Sequence, residues 1–207
     1  MRKLFIITLN LSFTAIAFSQ SKLPNPKIGK NETEISLVYL LDSYKGYLTE
    51  SRQALGGEVV YRWSWKKYTK VGAGFLIAAD FPNNGNGLRP DVFAYGVMFA
   101  DIMQFLGSRQ KWSMTGQIGY SIYNREYSSD DSIVKVTNRF TGGMYYAISL
   151  NYRFIITKKI LLNLSSSLVL RNFRSTMIEE FHSSASVKEN KEVQNHSGFG
   201  FKVGIVF

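Results

Sequence analysis

What most constrains this chain is a period of two that recurs along nearly its whole length, without any apolar run long enough to be a membrane-spanning helix. The last ten residues display it most clearly. Phe199, Phe201, Val203, Ile205 and Phe207 fall on one side of an extended strand, and Gly198, Gly200, Lys202 and Gly204 on the other. Strands with two such different faces must separate two environments. We count eight segments of this kind. They cover residues 32–44, 53–65, 70–81, 91–104, 112–124, 139–154, 160–173 and, opening at His196, the C-terminal stretch.

Connections between the segments sort into two classes. Those at 66–69, 106–111 and 155–159 are short, whereas those at 45–52, 82–90, 125–138 and 174–195 are longer. Segments that alternate short turns with long loops, and are even in number, define an eight-stranded antiparallel up-and-down transmembrane β-barrel. Each segment reaches the roughly nine to eleven residues that a tilted strand needs to cross hydrocarbon. The fourth segment is the least regular. It sets Phe93, Tyr95, Val97 and Phe99 against Ala94, Gly96 and Ala100, and Asp101 interrupts it, which predicts a bulge or an interfacial end.

Alternation by itself leaves open which face meets lipid, since a soluble lipocalin-like barrel carrying a hydrophobic ligand puts its apolar face inside. Three features favour the inverted arrangement. The second face is rich in Gly, Ala, Ser, Thr and Asn, which suits a narrow lumen. Its charges are of both signs, namely Glu34, Asp42, Glu58, Arg62, Asp80, Arg153, Arg171 and Lys202, so that they can neutralise one another when buried. Aromatic residues gather at strand ends as two girdles. Trp63, Trp65, Trp112, Tyr152, Phe154 and Phe207 lie at the short-turn end, and Phe81, Phe93, Tyr95 and Phe140 at the long-loop end.

With its alternating strands and a C-terminal strand running into Phe207, the chain resembles the small bacterial outer-membrane barrels of the OmpX and OmpA transmembrane-domain type. The resemblance implies residence in a Gram-negative outer membrane, assembly by the barrel-assembly machinery, and contact with outer-membrane lipid and lipopolysaccharide as a monomer. Residues 1–19 read accordingly as a secretory signal peptide, with Arg2 and Lys3 before an apolar stretch and Ala17-Phe18-Ser19 at the cleavage site. Residues 20–31 then form a periplasmic leader, and residues 32–207 the barrel.

Chemistry is sparse. The chain of 207 residues has no cysteine, which excludes disulfides, a thiolate nucleophile and lipid anchoring through Cys. Its two histidines, His182 and His196, have no third ligand at useful spacing, so no metal site and no cofactor are expected and both read as solvated loop residues. The net charge of +10 is dispersed over turns and loops rather than gathered into a patch, which argues against nucleic acid. Arg89, Arg125, Lys135, Arg139, Arg171 and Arg174 lie towards the long-loop rim, where they can pair with lipopolysaccharide phosphates. Phe181-His182-Ser183-Ser184 resembles the His-x-Ser element of the lipid A deacylases, themselves outer-membrane barrels. That resemblance implies His182 as base and Ser184 as nucleophile. The family's Asn after the serine is replaced here by Ala185, and the nearest carboxylates are Glu189 and Glu192. The leading expectation is therefore a non-enzymatic barrel with a filled lumen, structural or acting in surface recognition through its long loops. A lipid A-modifying enzyme is the alternative.

Overall fold

A computed structural model describes residues 31–45, 49–82, 93–107, 110–122, 124–130, 134–157, 159–181 and 187–207. The expected signal peptide, the leader up to residue 30, His182 and Ser184 lie outside the described residues. Every described element is a strand. In order they are β1 (Asn31–Lys45), β2 (Thr49–Lys66), β3 (Thr69–Pro82), β4 (Phe93–Leu106), β5 (Trp112–Ile122), β6 (Asn124–Asp130), β7 (Val134–Thr141), β8 (Met144–Ile155), β9 (Leu161–Phe181) and β10 (Val187–Val206). Among the described residues no helix is long and apolar enough to cross a membrane.

All pairings are antiparallel, and neighbours follow the chain from β1 to β5, then β8, β9 and β10. Pairing of β10 with β1, from Glu34 opposite Val206 to Tyr44 opposite His196, closes the sheet into an eight-stranded barrel. Phe207 N–H donates to Thr33 O at 2.9 Å and completes the seam at the short-turn end. Turns here are tight. Gly107 adopts φ +85°, a left-handed conformation that favours glycine, where the chain reverses between β4 and β5.

At the opposite end the wall is uneven. Of residues 125–138, expected as a loop, 125–130 lie in β6 and 134–138 in β7, which pair with each other, and the described residues of 174–195 are strand rather than loop. β9 runs unbroken to Phe181 and β10 begins at Val187, so the two continue past the barrel as a ladder. β7 pairs with the upper part of β9, giving a projecting four-stranded sheet in the order β6, β7, β9, β10. Of the expected 45–52 loop, Lys45 ends β1 and residues 49–52 belong to β2.

The projecting sheet joins the barrel through a bulge. Thr141 pairs with Arg174 and Tyr145 with Arg171, so Gly142, Gly143 and Met144 stand opposite only Asn172 and Phe173. Asn172 holds this step: its Oδ1 accepts the Met144 N–H at 2.7 Å. Tyr120 donates its hydroxyl to Gly142 O at 3.0 Å. A Cβ on Gly143 would lie 2.7 Å from Asn172 Oδ1, so only glycine fits there. Bulges re-aim a strand at a sheet end, and here one carries the wall beyond the closed barrel. Asn172→Ala removes one bond to a backbone donor and should cost about 1–2 kcal/mol, with no loss of the barrel itself. Urea unfolding of the detergent-folded protein, followed by tryptophan fluorescence, measures that shift.

Candidate functional site: the filled lumen and the two rims

The outer surface of the cylinder is apolar. Ile35, Leu37, Leu55, Val59, Phe75, Ile77, Ile118, Ile148, Leu168, Phe199 and Val203 are exposed, and Phe199 is 58 % accessible. Charged side chains within the barrel wall point the other way, with Arg153 at 2 % and Lys202 at 5 %. A soluble barrel requires the reverse distribution, because an apolar coat of this extent is stable only against lipid.

Three tiers fill the lumen. At the short-turn end, four cations (Arg62, Lys70, Arg153, Lys202) and four carboxylates (Glu32, Glu34, Glu58, Asp101) are buried together. Arg62 sits at the centre, paired with Asp101 and, through Nη1, with Glu34 Oε2 at 2.5 Å. Arg153 grips Glu32 with two parallel bonds of 3.0 and 2.6 Å, and Lys70 Nζ reaches the same carboxylate at 2.7 Å. Lys202 Nζ lies 2.8 Å from Glu58 Oε1. Neutral donors satisfy the remaining carboxylate lone pairs: Asn163 and Ser36 donate to Glu34 Oε1, and Gln117 to Asp101 Oδ2. Charges taken out of water persist only when they are paired and hydrogen-bonded in this way. Small residues make the room, since a Cβ on Gly72 would stand 2.9 Å from Arg62 Cγ.

Above the ions lies an apolar tier. Val38, Leu40, Ala54, Val60, Leu76, Ala78, Val97, Phe99, Ala147 and Val169 meet across the bore, with Tyr95 and Tyr145 at its edge. This tier was not expected from a lumen face read as small and ionic. It follows from a correction to β4, whose Tyr95, Val97 and Phe99 point inward rather than to lipid, leaving Ala94, Met98 and Ala100 outside. Asp101 does not break the strand. Its pairings with Gly72 and Gln117 are regular, and its carboxylate belongs to the ionic tier.

The third tier lies towards the long-loop mouth. Arg171 Nη2 donates to both oxygens of Asp80 at 3.1 and 3.2 Å. Its guanidinium lies 4.5 Å from the Tyr95 ring centroid and 5.4 Å from that of Phe173. Arg171 is therefore an interior residue and not a rim charge. His196 is buried too, packed edge-on against Phe173 at 5.1 Å, and is not the solvated loop residue expected.

Of the lumen residues named from sequence, Glu34, Glu58, Arg62, Asp80, Arg153, Arg171 and Lys202 are interior, while the Asp42 side chain lies outside the described residues. Sequence reasoning missed Glu32, Lys70 and Asp101, although each is in phase with an inward neighbour: Glu34, Gly72 and Phe99. Of the aromatic residues, Trp63, Trp65, Trp112, Phe81 and Phe207 are exposed. Tyr152 and Phe154 keep the outward phase of β8 but are covered, each ring edge-on to its neighbour at 4.6 Å and Tyr152 also against Trp112. Tyr95 belongs to the lumen, not to a girdle. The Phe93 and Phe140 side chains lie outside the described residues. So do those of Arg89 and Arg125; Arg139 and Arg174 are exposed on the projecting sheet, and Lys135 lies 3.6 Å from Glu180 there.

No family model matches the sequence, and no curated protein is detectably similar to it. Solved structures do match the fold. The chain superposes on the outer membrane protein OprG from Pseudomonas aeruginosa with a TM-score of 0.51 at 10% identity, covering 86% of this chain and 95% of that one. It superposes on the outer membrane protein AlkL, solved in DMPC lipid bilayers, with a TM-score of 0.52 at 10% identity, covering 90% and 95%. Closed eight-stranded topology, an apolar exterior and these likenesses together define an outer-membrane β-barrel.

The ionic tier makes a stability prediction. Arg62→Met strands Glu34 and Asp101 in the lumen and should destabilise the barrel by about 3–5 kcal/mol. Replacing the Lys202–Glu58 pair on both sides, Glu58→Leu with Lys202→Met, should cost far less than Arg62→Met, and less than Lys202→Met alone, which leaves Glu58 unpaired. Urea denaturation of the barrel folded into lipid vesicles distinguishes the three.

Proposed function

We propose that this protein is a closed, non-enzymatic outer-membrane barrel that presents its projecting sheet at the cell surface for recognition. The observation that carries the reading is the apolar tier. Leu40, Leu76, Val97 and Phe99 meet across the bore, with ion pairs packed on the short-turn side and the Arg171–Asp80 pair on the other. Such a stack leaves neither a wide aqueous path nor an open cavity for substrate.

The projecting sheet supports the surface role. Its β10 edge carries Lys188, Glu189, Lys191 and Glu192 in exposed positions, with Val187 and Val193 also accessible. Alternating charge on an open strand edge discourages indiscriminate pairing while leaving side chains available to a partner. Lipopolysaccharide phosphates are the expected neighbours of Arg139 and Arg174, and the barrel-assembly machinery acts only during insertion. The barrel acts as a monomer in this reading.

Two measurements test the proposal. In planar bilayers the protein should give no steady single-channel conductance; a stable open level would overturn the closed lumen. Val193→Cys should react with a membrane-impermeant maleimide on intact cells, and protection until lysis would overturn surface display. An unchanged lipid A acylation pattern on expression of wild type, His182→Ala and Ser184→Ala alike is expected; a difference between them would replace this reading with the enzymatic one.

A further inference from the structure

The two ends of the barrel differ in the sign of their exposed charge. At the long-loop end, exposed or half-exposed Lys135, Arg139, Arg174, Lys188 and Lys191 are interspersed with Glu179, Glu180, Glu189 and Glu192. At the short-turn end, among the described residues, Lys66, Lys67 and Lys159 are exposed and Lys111 is half-exposed, and no carboxylate side chain is exposed, because Glu32, Glu34 and Asp101 all turn into the lumen. Hydration of turns alone would not sort the signs this way, since glutamate hydrates a turn as well as lysine does.

These lysines stand at three of the barrel's corners, the β2–β3, β4–β5 and β8–β9 turns. Two corners also carry an interfacial indole beside the charge. Trp65 is the unpaired residue of a bulge between Ser64 and Lys66, exposed at the rim, and Lys66 Nζ lies 5.3 Å from its ring centroid. Lys111 adjoins Trp112, whose indole is exposed on the lipid side. Tryptophan rests at headgroup level. An ammonium held over that ring is therefore at the depth of lipid phosphates, not out in the aqueous phase. A polyanionic chain would be gripped by cations on one face, whereas these are spread around the circumference, as separate lipid molecules require.

We propose that the short-turn rim is a binding surface for anionic glycerophospholipid headgroups, with Lys66, Lys67, Lys111 and Lys159 pairing with their phosphates. The inference rests on the membrane-barrel reading and adds a lipid preference confined to one leaflet. Each lysine near an anionic surface contributes roughly a fivefold factor at low salt, less once neighbouring charges share the same headgroups.

The test uses the full barrel reconstituted in phosphatidylcholine vesicles, with spin-labelled phosphatidylglycerol or phosphatidylcholine as probe. Electron spin resonance counts the lipid immobilised at the protein surface. The wild type should immobilise phosphatidylglycerol several-fold more strongly than phosphatidylcholine, with the preference falling as salt rises. Replacing all four lysines with Gln should bring the ratio to about one. Replacing all four with Arg should retain it, as should Lys188→Gln with Lys191→Gln at the other end. A ratio of one in the wild type overturns the proposal, as does a preference that survives the Gln variant. So does a Gln variant that loses binding to peptidoglycan fragments while the wild type shows no lipid preference. If neither labelled lipid is immobilised at all, the membrane-barrel reading itself falls, which separates the two failures.

Discussion

In hydrocarbon a backbone amide has no water to fall back on, and each unpaired group costs several kcal/mol. The seam between β1 and β10 is consequently what the rest of this molecule rests on. It turns a sheet with two open edges into a wall with none inside the lipid, and it fixes the register of every interior residue with respect to the others. A shift of one residue at the seam would send Lys202 outward and Val203 inward. The alternation of bulky apolar and small or ionic side chains on β10 makes that shift prohibitive.

Closure then creates a second problem, a bore lined by polar and charged side chains. The chain answers it differently at different heights. Near the short turns, opposite charges neutralise one another and are held by Asn163, Ser36 and Gln117. At mid-height, aliphatic side chains and the Phe99 ring fill the space, with Gly74 opposite Phe99 leaving it room. At the mouth a guanidinium lies against two aromatic rings and a carboxylate. The result behaves like a protein core enclosed in a lipid-coated shell, and it requires no disulfide.

The barrel itself was legible in the sequence wherever the two faces of a strand differ. β5 and β10 separate branched or aromatic residues from Gly, Ser, Thr and charge over most of their length, and β1, β2 and β9 do so apart from inward-pointing residues such as Val38, Leu40, Val60 and Val169, so their phase could still be read. β4 could not, because it lies between lipid and the apolar tier and carries apolar residues on both sides. Its one decisive residue is Asp101. Taken as an inward marker, it sets Phe99, Val97 and Tyr95 inward as well. His196 was likewise in phase with Gly200 and Lys202 and could have been placed inside. The projecting sheet was illegible for the opposite reason: from Lys188 to Asn195 both faces meet water, so no hydrophobic period distinguishes strand from loop. Where a pattern arises from contrast between environments, it vanishes where the environments are alike.

The ion pairs of the lumen join residues far apart in the chain, 121 positions for Glu32 and Arg153 and 144 for Glu58 and Lys202. Among the described side chains, a hairpin of β1 and β2 alone would bring Glu32, Glu34 and Glu58 inward with only Arg62 to offset them. Two surplus negative charges would then face the bilayer with no counterpart, because their partners arrive with β3, β8 and β10. The wall cannot be laid into lipid one hairpin at a time without meeting that electrostatic barrier. Neutralisation of the interior carboxylates is therefore complete only once β10 has docked against β1.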